Sequence, residues 1–97
     1  MTAKNLFQEL GDSVEEVALT LSQRGIRGVR NAVRDLNPVC RYLRSEMPDA
    51  SLVDVIRSDR AHIRYRDGRE REIPLPHAVS RFLDAFNDGK FPDLEMG

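Results

Sequence analysis

Arginines recur in the middle of the chain at a spacing that could bind an anion or an acidic protein. Successive members are separated by three, four, seven and three positions, which places them on one side of a helix predicted to begin near Arg27. Like charges one helical turn apart repel each other, so a negative group should lie opposite them. The set is Arg27, Arg30, Arg34, Arg41 and Arg44. We expect these residues to form an anion-binding or partner-binding surface.

Charge is distributed unevenly along the 97 residues, whose net charge is −1. Residues 24–71 carry twelve arginines against seven acidic residues, while the segments before and after each carry a net charge of −3. Nucleic acid could bind the basic middle, but the pI near 6.1 and the lack of aromatic residues among the arginines argue against it. The acidic ends could instead fold back and neutralise the middle within the chain.

Three side chains near the C-terminus have the composition of a hydrolytic triad. His77, Ser80 and Asp84 are spaced three and four apart and share a helical face, but that face lies opposite the apolar residues and is expected in water. Cys40 is the only cysteine, and the two histidines stand at no ligand spacing from it, so we expect a core residue rather than a metal site. No glycine-rich phosphate loop is present. We therefore predict a protein that is not an enzyme and that uses no metal or cofactor.

An apolar seam runs along the first segment of the chain. Its members recur at alternating spacings of three and four, and they are Phe7, Leu10, Val14, Val17 and Leu21. The seam could be an interface for a second copy, or it could pack in the protein's own core. We predict one helix over about 3–23 with a weak point at Gly11, although Ser13 and Glu16 form a capping box at which the helix could restart.

A second helix is predicted from about Arg27 to the Met47-Pro48-Asp49 segment. Asn37 followed by Pro38 is typical of a helix start, so we expect a kink or a short break there. A branched stretch over 52–57 predicts the first strand, but the sequence leaves open which of its faces is buried. A last helix after Pro76 carries apolar residues at helical spacing, namely Val79, Phe82, Leu83 and Phe86.

The stretch 60–75 alternates as a β-hairpin. A two-residue turn would place like charges opposite each other and bury a glutamate. A three-residue loop over 66–68, closed by a left-handed glycine, instead pairs Arg64 with Glu70 and His62 with Glu72. The opposite face then collects apolar side chains, which are Ala61, Ile63, Ile73 and Leu75, with Tyr65 over the stems of Arg69 and Arg71.

The sequence predicts a single α+β domain over 1–97. It has two N-terminal helices with the second possibly broken at Asn37-Pro38, a three-stranded antiparallel meander, and a C-terminal helix packed on the sheet. The lone cysteine and the absence of an apolar signal segment favour a cytoplasmic protein that does not enter a membrane. The leading hypothesis is a non-enzymatic protein-interaction domain that binds itself through the seam or an acidic partner through the arginines. A nucleic-acid-binding regulator is the alternative hypothesis, and a small enzyme is the third.

Overall fold

A computed structural model describes residues 3–31, 36–56 and 59–96 and has the predicted α+β architecture. The helices are α1 (Ala3–Leu10), α2 (Val14–Gln23), α3 (Pro38–Glu46) and α4 (His77–Asn87), followed by a 3₁₀ turn at Pro92–Leu94. The strands are β1 (Ala50–Ile56), β2 (Arg60–Tyr65) and β3 (Glu70–Pro74). They form one antiparallel sheet in the order β1-β2-β3.

The first helical segment is two helices rather than one. Gly11 has a φ of +130°, a left-handed conformation that favours glycine and ends α1. Ser13 Oγ then accepts from the Glu16 N–H at 3.1 Å, and Glu16 Oε2 accepts from the Asp12 N–H at 2.8 Å. The capping box therefore starts a new helix, and the prediction of one helix over 3–23 is wrong.

The helix predicted from Arg27 begins only at Pro38. Asn37 caps it, since its buried Oδ1 accepts from the Val39 N–H at 2.8 Å and the Cys40 N–H at 3.4 Å. Residues 26–31 are not helical, because the peptide groups of Gly28 bond to the C-terminal segment instead of to a helical turn. The break at Asn37-Pro38 is thus the true start of the element.

The hairpin has the predicted three-residue loop and register. Gly68 has a φ of +94°, its N–H donates to Tyr65 O at 3.0 Å, and the Tyr65 N–H donates to Arg69 O at 2.8 Å. Arg64 lies opposite Glu70 and His62 opposite Glu72, as the charge pattern predicts. Charge pairing across the strands therefore identifies this register correctly.

The helices cover one face of the sheet. Val53 of β1 and Ala61 and Ile63 of β2 are fully buried, which shows that the face of β1 carrying Val53 points inward. On the opposite face Leu52 and Asp54 are half-exposed. Tyr42 of α3 donates its hydroxyl to the Leu6 carbonyl of α1 at 3.0 Å. None of the described helices is long and apolar enough to cross a membrane.

Candidate partner-binding surface

The apolar seam lies inside the molecule. Phe7, Leu10, Val17 and Leu21 are buried in the core, and Val14 is half-buried against it. Because the sheet and the other helices already cover them, these side chains are not available to a second copy in this fold. The burial of these side chains argues against the seam as a self-association interface and agrees with the interpretation that the seam packs in the protein's own core.

The arginines predicted on one helix are divided between two parts of the chain. Arg41 and Arg44 lie one turn apart on the exposed side of α3, whereas Arg27 and Arg30 belong to the non-helical segment that precedes it. Arg34 lies outside the described residues. The single arginine-lined helix face is thus a wrong prediction, because helical phase was extended over residues 27–31, which are not helical.

Residues 26–29, here called the strap, connect three parts of the molecule through backbone hydrogen bonds. On one edge the Gly28 N–H donates to Leu94 O at 2.9 Å, and the Met96 N–H donates to Gly28 O at 2.8 Å. On the other edge the Val29 N–H donates to Leu36 O at 2.9 Å. Successive peptide groups of an extended chain point in opposite directions, so the strap is bonded on both edges.

The strap passes so close to α3 that only glycine fits at position 28. A Cβ placed on Gly28 would lie 2.4 Å from Pro38 Cδ and 2.8 Å from Leu36 O. Neither atom belongs to a flexible side-chain end that could move aside at little cost. The backbone of the strap therefore lies directly against the first turn of α3.

These bonds bring three exposed apolar side chains together. The pairing of Gly28 with Glu95 makes Val29 the neighbour of Met96, and the bond to Leu36 places Val29 beside that residue as well. Val29, Leu36 and Met96 are 39%, 44% and 45% exposed, and we call them the patch. Within 3–31, 36–56 and 59–96 the other large apolar side chain of comparable exposure is Leu19. The patch is therefore a local concentration of apolar surface.

Cations lie on the strap and close to it. Arg30 Nε lies 2.8 Å from Glu95 Oε1, so its charge is already matched. Arg27 and Arg41 are exposed, and no described carboxylate lies within 4.0 Å of either guanidinium. Arg41 also lines an open cleft of about 410 Å³ between the strap and α3, whose other lining residues are Gly25, Ile26, Arg44 and Ser45. The surface thus combines an apolar centre with unmatched positive charge.

Other arginines of the basic middle are neutralised within the chain. Arg24 pairs with Glu9 at 3.8 Å and with Glu46, and its guanidinium lies 5.2 Å from the centre of the Tyr42 ring. This pairing and the one between Arg30 and Glu95 join the acidic ends to the basic middle, as one of the two interpretations of the charge pattern expects.

Three of the hairpin arginines are likewise engaged. Arg64 pairs with Glu70 at 3.2 Å, Arg69 pairs with Asp67 at 2.7 Å, and Arg66 donates to the Pro48 carbonyl at 3.1 Å. Hydrogen bonding from His62, and then from Arg64, lowers the pKa of Glu70. The face that carries His62, Arg64, Glu70 and Glu72 is therefore not positive overall and is poorly suited to bind a polyanion.

The three residues considered for a hydrolytic triad all lie on α4, away from Cys40. His77 and Asp84 are exposed on α4 and Ser80 is half-exposed, while Cys40 is buried in the core as predicted. Among the described residues, no three histidine, cysteine, aspartate or glutamate side chains are grouped so that they could hold a metal ion.

Comparison with models of known protein families, with curated proteins and with solved structures finds no significant match. The function is therefore argued from the geometry of the strap and the patch.

Proposed function

We propose that this chain is a non-enzymatic protein-interaction domain whose contact surface is the patch together with the cations Arg27 and Arg41. The observation that supports this proposal is the grouping of Val29, Leu36 and Met96 at the strap, which also carries Arg27 and borders the cleft lined by Arg41. No described carboxylate neutralises either arginine. The seam has no part in this contact, because its side chains are buried.

The apolar part of the surface would supply most of the free energy of partner binding. Each side chain of the patch keeps a large part of its area in water, and covering apolar area is worth roughly 25 cal/mol per Å². Backbone hydrogen bonds at Gly28 and Val29 fix the strap to both of its neighbours, so binding requires little further ordering of the backbone at this point. A partner should therefore present apolar side chains at this position.

The charged part of the surface selects the partner. Arginine at an interface can hold a carboxylate with two parallel hydrogen bonds, and no described carboxylate already pairs with Arg27 or Arg41. A partner segment that combines apolar and acidic residues fits both parts of the surface. A nucleic acid fits less well, because the side chains beside these arginines are aliphatic rather than aromatic.

Affinity capture from the source extract, with and without nuclease, tests the proposal. Arg27→Glu combined with Arg41→Glu should reduce recovery of the protein partner by about fivefold or more, as expected when a contact surface changes sign. The matched control is Arg81→Glu combined with Lys90→Glu, which makes the same change of charge at exposed positions on and after α4.

The proposal fails if both double variants recover the same proteins in the same amounts, or if wild type recovers no protein. Loss of all recovery on nuclease treatment would indicate the nucleic-acid alternative instead. Circular dichroism of each variant shows whether it is folded, and sedimentation of the pure protein shows whether the partner is a second copy.

A further inference from the structure

We propose that the outer edge of β3 accepts an extended segment of another protein as a fourth, antiparallel strand. The segment we infer carries basic side chains at alternating positions. This inference rests on the register of the hairpin and is independent of the patch.

The register identifies which peptide groups face outward. The Tyr65 N–H bonds to Arg69 O, and in an antiparallel pair the hydrogen-bonded positions alternate, so the peptide groups of Arg71 and Ile73 face β2. The N–H and C=O groups of Glu70 and Glu72 therefore face away from the sheet. No described residue outside the strand bonds to these four groups.

Pro74 agrees with this register. It occupies the next outward-facing position of β3, where a missing N–H removes no bond to β2. It also limits an added strand to the part of β3 that precedes it, because a partner carbonyl opposite Pro74 would find no donor.

The space beside β3 is open on both faces of the sheet. Every residue of β3 is exposed except Ile73, which is half-buried. Arg71 is exposed although it lies on the face that the helices cover over β1 and β2. The helical layer therefore ends before β3, and a new strand would meet no obstruction from it.

Charge excludes a second copy of this chain as the occupant. Pairing of β3 with itself about a two-fold axis aligns residues of the same face, so Glu72 would lie opposite Glu72, Glu70 or Pro74 of the partner strand, and opposite Pro74 it would find no N–H donor. Like charges directly opposite each other are destabilising, and edge strands commonly use charge to prevent such pairing. The occupant is therefore a different segment.

The side chains of β3 define the complementary segment. Glu72 is exposed, and no described cation forms an ion pair with it, whereas Glu70 is shared with His62 and Arg64. A strand antiparallel to β3 would place, from its N-terminus, an apolar residue opposite Ile73, a basic residue opposite Glu72, an acidic residue opposite Arg71 and a basic residue opposite Glu70. A peptide containing Val-Lys-Glu-Lys has this pattern.

Amide hydrogen exchange of the full chain tests the inference, with a Thr-Val-Lys-Glu-Lys-Thr peptide as the probe. Exchange at the Glu70 and Glu72 amides should slow on binding, while the Arg71 and Ile73 amides, which already bond to β2, should not change. A Kd of about 0.5 mM would leave about a third of the protein free at 1 mM peptide and slow exchange about threefold. Unchanged exchange at Glu70 and Glu72 at this concentration would overturn the proposal.

Two variants sharpen the test. Glu72→Pro removes an outward N–H without removing a bond to β2, so the hairpin should stay folded while the effect of the peptide is lost. Glu72→Lys should weaken the response to the first peptide and create a response to Thr-Val-Glu-Glu-Lys-Thr, in which only the residue opposite position 72 is changed. If both variants respond to the first peptide as wild type does, or if the protein dimerises and Glu72→Pro abolishes the dimer, the proposed occupant is wrong.

Discussion

Tyr42 joins three parts of the molecule through one side chain. Its hydroxyl donates to Leu6 O, its ring packs in the core, and Arg24 lies over the ring. Burial raises the pKa of the hydroxyl above its ordinary value of 10.0, although Arg24 acts in the opposite direction. The folded state thus favours the neutral phenol.

Replacing Tyr42 with phenylalanine should lower the free energy of unfolding by about 1 kcal/mol, because one buried hydrogen bond is lost. In wild type the stability contributed by the neutral phenol is fully present below pH 10.0 and is lost as the pH rises through the raised pKa. The variant should lose less stability over that range in urea unfolding curves. Tyr65→Phe is the control because Tyr65 is half-exposed, and equal effects of the two changes would contradict the role assigned to Tyr42.

Glu70 should make the stability depend on pH on the acid side. Its pKa is lowered by hydrogen bonds from His62 and Arg64, so its contribution is present above the unfolded pKa and is lost as the pH falls through the folded one. Melting temperatures measured from pH 7 to pH 3 should fall less steeply for Glu70→Gln than for wild type. Glu72→Gln is the control. If the melting temperature of Glu70→Gln falls with pH as steeply as that of wild type, the pairing of Glu70 with His62 and Arg64 does not stabilise the fold.

The strap is the element on which the proposed contact surface depends. Gly28→Ala would place a methyl group 2.4 Å from Pro38 Cδ, so the strap must move away from α3. We expect a loss of about 1–3 kcal/mol of stability, as for overpacked sites, together with faster exchange of the Met96 amide that bonds to Gly28 O.

Gly25→Ala is the control for Gly28→Ala, because it introduces backbone strain without a steric clash. Gly25 has a φ of +68°, but no atom lies within 4 Å of its would-be Cβ, so this change should cost stability while the Met96 amide stays protected. If Gly28→Ala leaves both the stability and the exchange of Met96 at wild-type values, the strap is not held as described.

Elements whose determinants lie close together in the sequence could be predicted. The hairpin register follows from a loop and charge pairs within a few residues of it, and Asn37-Pro38 carries its own helix-start signal. The strap could not be predicted, because Gly28 bonds to Leu94 and Met96 near the other end of the chain. Val29 and Leu36 also keep helical phase with α3, which favoured a helix over residues 27–31, where the chain is not helical.

At the scale of the whole molecule, the same seam pattern is compatible with a core and with an interface. Apolar spacing shows that one helical face is covered but not what covers it. The buried side chains of α3, the sheet and α4 do so here, which the sequence of the seam alone does not reveal. The arginines that no described carboxylate pairs with were also only partly predictable. Arg27 and Arg41 both belong to the predicted arginine surface, but they lie on different elements.

Changing Leu10 and Val17 together to aspartate should abolish folding. Both side chains are fully buried, and burying two unpaired polar groups in their place exceeds a typical net stability of about 5–15 kcal/mol. Circular dichroism should show loss of the folded signal, while Leu19→Asp, at a side chain that is 58% exposed, should remain folded. A folded double variant that is monomeric would show that the seam is an interface after all.

Oxidative footprinting of the captured complex tests whether the partner covers the patch. The side chains of the patch, Val29, Leu36 and Met96, are exposed in the free chain and should be labelled several-fold more slowly when the partner is bound, whereas Leu19 should be labelled equally in both states. Buried Met47 reports whether the fold is intact. Unchanged labelling of the patch together with protection of Leu19 would show that the partner binds elsewhere.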